Sequence, residues 1–124
     1  MLSDNPIFPI LLSTDMAASR AFYHDTLGLE IVSEDDERML FRSGGGTGVL
    51  ISHSTIGTSD AQTQVAWRVP DIHAAVTWLR ERGVRIEEYE TLETTDGVAD
   101  MGHSWAAWFV DPSRNVLAVV QPKG

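Results

Sequence analysis

The sequence predicts an α+β fold built from two βαβββ modules, and three observations predict it. The first is an internal repeat. A strand-like run, an aspartate and an Ala-Ala helix with an aromatic in its second turn begin at Pro9-Ile10-Leu11-Leu12-Ser13-Thr14-Asp15-Met16-Ala17-Ala18 and again at Val65-Ala66-Trp67-Arg68-Val69-Pro70-Asp71-Ile72-His73-Ala74-Ala75. Laying Asp15 on Asp71 puts Met16 on Ile72, Ala18 on Ala74, Phe22 on Trp78 and Tyr23 on Leu79, and a repeat of this kind sets the architecture before any single element does. The second is that each copy continues as short strand-like runs separated by turn residues. The third is length: 124 residues make one domain, whereas either copy alone is too small to bury a core.

The elements follow in order. Residues 7–12 form a short apolar run closed by Ser13-Thr14-Asp15, and the Asp15 carboxylate can cap the free N–H groups of the helix that follows. That helix carries Ala18, Phe22, Tyr23 and Leu27, and Gly28 supplies its left-handed stop. Residues 29–33 and 38–42 read as a hairpin across the acidic run Glu34-Asp35-Asp36-Glu37, which is expected to be a solvated tip. The glycine-rich turn at 43–48 lacks the lysine and the strand-to-helix setting of a phosphate loop. A fourth strand is expected at 49–53 and a polar linker at 54–62. The second copy repeats the plan: a strand at 63–69, then a helix capped by Asp71 with Ile72, Ala75, Val76 and Leu79 on one stripe. Gly83 stops it, and strands are expected at 84–89, 104–110 and 115–121. The polar stretch 91–103 is long for a connection and is a candidate lid.

Composition excludes several functions. Nine Lys and Arg against 18 Asp and Glu give a net charge of −9, which is the opposite of a nucleic-acid footprint. No apolar run reaches the length of a membrane span, and the first residues do not read as a signal peptide, so a cytoplasmic location is expected. Without cysteine there are no disulfides, thiolate ligands or thiol catalysis.

Three stretches resemble one known family. They are Ser13-Thr14-Asp15-Met16-Ala17-Ala18-Ser19-Arg20-Ala21-Phe22-Tyr23 with Leu27-Gly28-Leu29, then Val69-Pro70-Asp71-Ile72-His73-Ala74-Ala75, and finally Trp108-Phe109-Val110-Asp111-Pro112-Ser113-Arg114-Asn115-Val116-Leu117. In this order they resemble the vicinal oxygen chelate superfamily, the group of glyoxalase I, extradiol dioxygenases, fosfomycin-resistance proteins and bleomycin-binding proteins. The resemblance implies one domain over 1–124, with module 1 at about 6–53 and module 2 at about 63–122, curled into a mixed-sheet cup. It also implies a homodimer. Metal-using members place ligands on the first and last strands of each module. The matching positions here are Phe8, Gln64, Ala118 and one near Ile51. Three hydrocarbons and one amide are a poor donor set for a divalent ion, so neither metal nor other cofactor is expected. Arg114 departs from the glycine that the family's turn often carries.

Strand alternation places Phe8, Ile10 and Leu12 on one face and Gln64, Ala66 and Arg68 on another; the resemblance turns both rows, with Val116, Ala118 and Val120, toward the cup. Arg68 offers a guanidinium fork to a carboxylate or phenolate, or else reaches the rim and pairs with an acid. His53 and His103 stand at the cup mouth, while His24 and His73 face solvent from the helices. Trp105 and Trp108, three apart on one strand, face opposite ways; one fills the core and the other lines the cup or a subunit interface. Trp78 is expected in the core. The candidate ligand-binding residues are Phe8, Gln64, Arg68, His53, His103, Trp105 and Ala118. Together they suit the binding of a small hydrophobic or aromatic, anionic molecule. Two alternatives stay open: an enzyme with a relocated site using Gln64, His53, His103 and an acid such as Glu90 or Asp100, and a regulatory partner whose cup is filled by its own side chains.

Overall fold

The computed structural model describes residues 1–59 and 61–124. Two compact units emerge, Met1–Thr58 and Ser59–Gly124. The first contains β1 (Ile10–Ser13), α1 (Met16–Arg20), β2 (Glu30–Glu34), β3 (Arg38–Arg42) and β4 (Gly48–His53). Its four-stranded sheet has the order β1-β4-β3-β2, with β1 parallel to β4 and the other pairs antiparallel. The second contains β5 (Thr63–Arg68), α2 (Ile72–Glu81), β6 (Ala99–Asp100), β7 (Ser104–Val110) and β8 (Val116–Pro122). Its sheet repeats the pattern as β5-β8-β7-β6, with β5 parallel to β8. Two four-stranded mixed sheets with their helices make an α+β fold, and each unit is one βαβββ copy of the sequence repeat.

The caps and stops act as their sequence positions require. Asp15 accepts from the Ala18 amide at 3.0 Å, and Asp71 accepts from the His73 and Ala74 amides, both at 3.1 Å. Gly28 and Gly83 leave their helices at φ of 78° and 80°, where a side chain would be strained. The first helix is not uniform: after α1 the chain widens into a π-helical stretch, Ala21–Thr26. This stretch carries Tyr23, which is fully buried against Phe41.

The first unit has its core on one face of its sheet, whereas the second buries residues on both faces. In the first unit alternate residues Leu11, Met39, Phe41, Val49 and Ile51 are buried. In the second, Phe109, Leu117 and Val119 are buried, Trp67 stacks on Phe109 at 6.1 Å, and α2 contributes Ile72, Val76 and Leu79. The acidic run forms the β2–β3 turn, where Asp35 accepts from the Glu37 and Arg38 amides; those amides hold its carboxyl below the usual range.

Three expectations need correction. Residues 84–89 do not form a strand: Val84 and Ile86 alternate into the interior, but only Glu87 pairs, as an isolated bridge to Trp108. The edge of β7 they would use is shared with β6, which lies inside the stretch read as a lid. Trp78 is 39% exposed, with the Arg82 guanidinium 3.7 Å from its ring centre, because it falls outside the stripe of Ile72, Val76 and Leu79.

Candidate functional site

The face of the first sheet opposite its core is apolar and open. Register pairs Ile10 with Leu50 and Leu50 with Leu40, so these side chains share that face. Phe8 precedes β1 in the same row. Phe8 and Ile10 are each 55% exposed and Val32 is 43% exposed. Val32 sits where the β2–β3 register shifts, a bulge that frees it from strict alternation. Phe8, Val32, Leu40, Leu50, Arg42 and Thr47 are among the residues lining a recess of about 330 Å³. Arg42 leans toward Glu30, with Nη1 3.4 Å from both carboxylate oxygens.

The equivalent face of the second sheet is covered by its own chain over Ala106, Trp108 and Ala118, while Ala66 on β5 stays exposed. The offset that lays Asp15 on Asp71 lays Ile10 on Ala66. Ala66 pairs with Ala118 as Ile10 pairs with Leu50. The last-strand position of the first module is therefore Leu50 and not Ile51, which points into the core at 1% exposure. Ala118 belongs to a buried cluster with Ala99, Ala106, Trp108 and Val116, and Tyr89, Leu92 and Val120 pack against it. The Tyr89 ring meets Trp108 edge-on at 5.5 Å. Burial, and then the Glu87 carboxylate, push the Tyr89 phenol above its usual range.

The remaining candidates are dispersed. Gln64 falls at a bulge between Thr63 and Val65, so simple alternation does not place it, and its Oε1 accepts from the Val116 amide at 3.0 Å. Arg68 is exposed and has no hydrogen-bond or ion-pair partner among the described residues; with Val69, Pro70, Gln121 and Pro122 it lines a recess of about 340 Å³. Trp105 lies on the sheet face opposite Ala118, under the Lys123 ammonium at 4.8 Å. Trp108 is the tryptophan on the Ala118 face, donating to Thr63 Oγ1 at 3.0 Å.

His53 ends β4, about five residues along the strand from the level of Phe8, or roughly 16 Å at about 3.3 Å per residue. Its Nδ1 is 3.7 Å from Glu37. His103 is exposed in the turn before β7, and its carbonyl accepts from the Lys123 amide. Asp100 is engaged by Lys123 Nζ at 2.6 Å and by the Gly102 amide, which hold its carboxyl low. Among the described residues no three His, Asp or Glu side chains cluster. His24, expected in solvent, is half-buried with Nδ1 2.9 Å from the Leu29 carbonyl. Reasoning from sequence missed the roles of Tyr89, read as the end of a strand, and of Leu92, a lone apolar residue in the polar stretch.

The family is defined by a match over residues 8–119 to the model of the glyoxalase/bleomycin resistance protein/dioxygenase superfamily. The chain belongs to that superfamily. Among solved structures it is similar to TnmS3, an antibiotic binding protein from Streptomyces sp. CB03234, at 20% identity and a TM-score of 0.72, covering 94% of this chain and 93% of that one. It is similar to a lactoylglutathione lyase from Agrobacterium tumefaciens at 16% identity and a TM-score of 0.72, covering 94% and 92%. A glyoxalase family protein from Enterococcus faecalis matches at 18% identity and a TM-score of 0.73, covering 97% and 99%. At these identities the likeness is one of fold. A comparison with curated protein sequences finds no match. No helix among the described residues is long and apolar enough to cross a membrane.

Proposed function

We propose that this protein binds, and by binding sequesters, a small hydrophobic or aromatic molecule without the help of a metal ion. The open apolar recess at Phe8 carries the reading: a soluble unit that leaves Phe8, Ile10 and Val32 uncovered on one sheet face has a surface suited to an apolar ligand. The positions at which the family's metal users hold their ligands support it. They carry Phe8, Leu50, Gln64 and Ala118, and the amide oxygen of Gln64 already accepts from Val116. This donor set does not fit a divalent ion. The antibiotic binding protein TnmS3 shares the fold, in keeping with a binding role. In the second unit Arg68, with no acidic partner among the described residues, is assigned a separate role in its own recess, as a fork for an anion. One domain made of the two units, active as a homodimer in the cytoplasm, completes the proposal.

The test is calorimetric titration with benzoates, naphthoates and their methyl esters. Calorimetry reads the heat of binding directly and needs no fluorophore beside Phe8. Saturable binding that weakens on Phe8→Ser supports the reading. Silence across the panel refutes it.

A further inference from the structure

The two sheets are repeats of one plan, yet one face is bare and the other is stopped up by its own chain over Ala99, Ala106, Trp108 and Ala118. The stopper is residues 88–98. Both ends are tied to β7, at Glu87 with Trp108 and at Ala99 with Ala106. Between them the chain leaves the edge and lays Tyr89 and Leu92 over Ala99, Ala106, Trp108 and Ala118. Alanines pave this floor, and such small side chains leave a hollow that needs a filler. The hold on the strap is slight. Glu93 and Asp96 adopt left-handed backbone, φ 51° and 54°, which residues other than glycine avoid. One polar tie is part-buried, the Tyr89 amide donating to Thr94 Oγ1 at 3.1 Å; the others are exposed, Thr94 to Glu88 and Arg80 to Asp96 at 3.0 Å. Such pairs contribute little.

We propose that Tyr89 and Leu92 form an intramolecular plug, and that the Ala106–Ala118 face beneath is a latent seat for a small alkylphenol. The plug states the ligand chemistry: a phenol ring edge-on to Trp108 and an isobutyl group on alanines. A ligand of that kind replaces the plug contact for contact and swings the strap away while its ends stay on β7. Because the seat is free only when the plug is out, wild-type affinity is the intrinsic affinity reduced by the open fraction. The seat belongs to the second unit alone, so its test is separable from that of the Phe8 recess.

The probe is 4-isobutylphenol, titrated into wild type, Tyr89→Ala/Leu92→Ala and Phe8→Ser. The plug-less variant is expected to bind at least tenfold more tightly than wild type. At saturation, hydrogen exchange in the wild type should quicken at the Leu92, Glu93 and Thr95 amides, which donate within the strap, and Phe8→Ser should leave that response intact. Equal affinity in wild type and plug-less variant, or a strap whose exchange is unmoved at saturation, overturns the plug. If the double variant does not fold, the wild-type exchange decides. Uptake lost in Phe8→Ser with an unmoved strap overturns the plug and keeps the first recess; no uptake by any of the three proteins overturns the plug.

Discussion

Replacing Phe8 by serine separates a binding role from a structural one. Complete burial of a phenylalanine side chain is worth about 1.5–3 kcal/mol. Phe8 is 55% exposed, so less than half of that stabilises the free protein, and the substitution should cost about 1 kcal/mol. Thermal melting should fall by only a few degrees. A ligand seated in the recess covers the exposed remainder of the ring, about 1–1.5 kcal/mol of transfer free energy. Losing it should raise Kd about five- to tenfold. The assay pairs a urea melt with calorimetric titration of a naphthoate on the same preparations. A variant that loses about 3 kcal/mol or more of stability, or one that binds the naphthoate unchanged, would refute the reasoning, because Phe8 would then be core or bystander.

Other outcomes follow from the same physics. Asp71 caps two amides of α2, so Asp71→Ala should cost about 1 kcal/mol in urea unfolding, and Asp15→Ala, which frees one amide of a shorter helix, should cost less. Glu34 is held low first by its bond to Arg20, Asp35 by backbone amides and Asp100 by Lys123. Carboxyls depressed in the folded state contribute stability that is present above their unfolded values and lost as pH falls through the folded ones. The urea midpoint should therefore be flat near neutrality and fall as pH drops below about 4. Arg114 stands at φ 72°. Arg114→Gly relieves a left-handed strain of about 1–2 kcal/mol and loses part of it to chain entropy, about 0.5–1 kcal/mol, so a small gain in midpoint is expected.

Much of the fold was legible because its signals are local. Asp15 and Asp71 cap, Gly28 and Gly83 stop, and the repeat of those four residues fixes two copies of one topology. What escaped depends on pairing at a distance. Val84 and Ile86 alternate as a strand does, yet the β7 edge beside them goes partly to Ala99 and Asp100. Bulges at Val32 and Gln64 break the parity that alternation assumes, and parity alone separates Leu50 from Ile51 and Trp108 from Trp105. Phe8 and Ala118 were singled out as positions through the family resemblance. The roles of Tyr89 and Leu92 were not legible, since Tyr89 ends a run read as a strand and Leu92 is a lone apolar residue in a polar stretch, and only the tertiary fold sets them on the alanine floor.

The central claim is that apolar contact, not a metal, holds the ligand. It is tested most directly by elemental analysis of the purified protein, joined to naphthoate titration before and after exhaustive chelation. The account predicts no stoichiometric divalent ion and the same Kd in both titrations. One equivalent of zinc, iron, nickel or manganese per chain, with binding abolished by the chelator and restored by the metal, would contradict it.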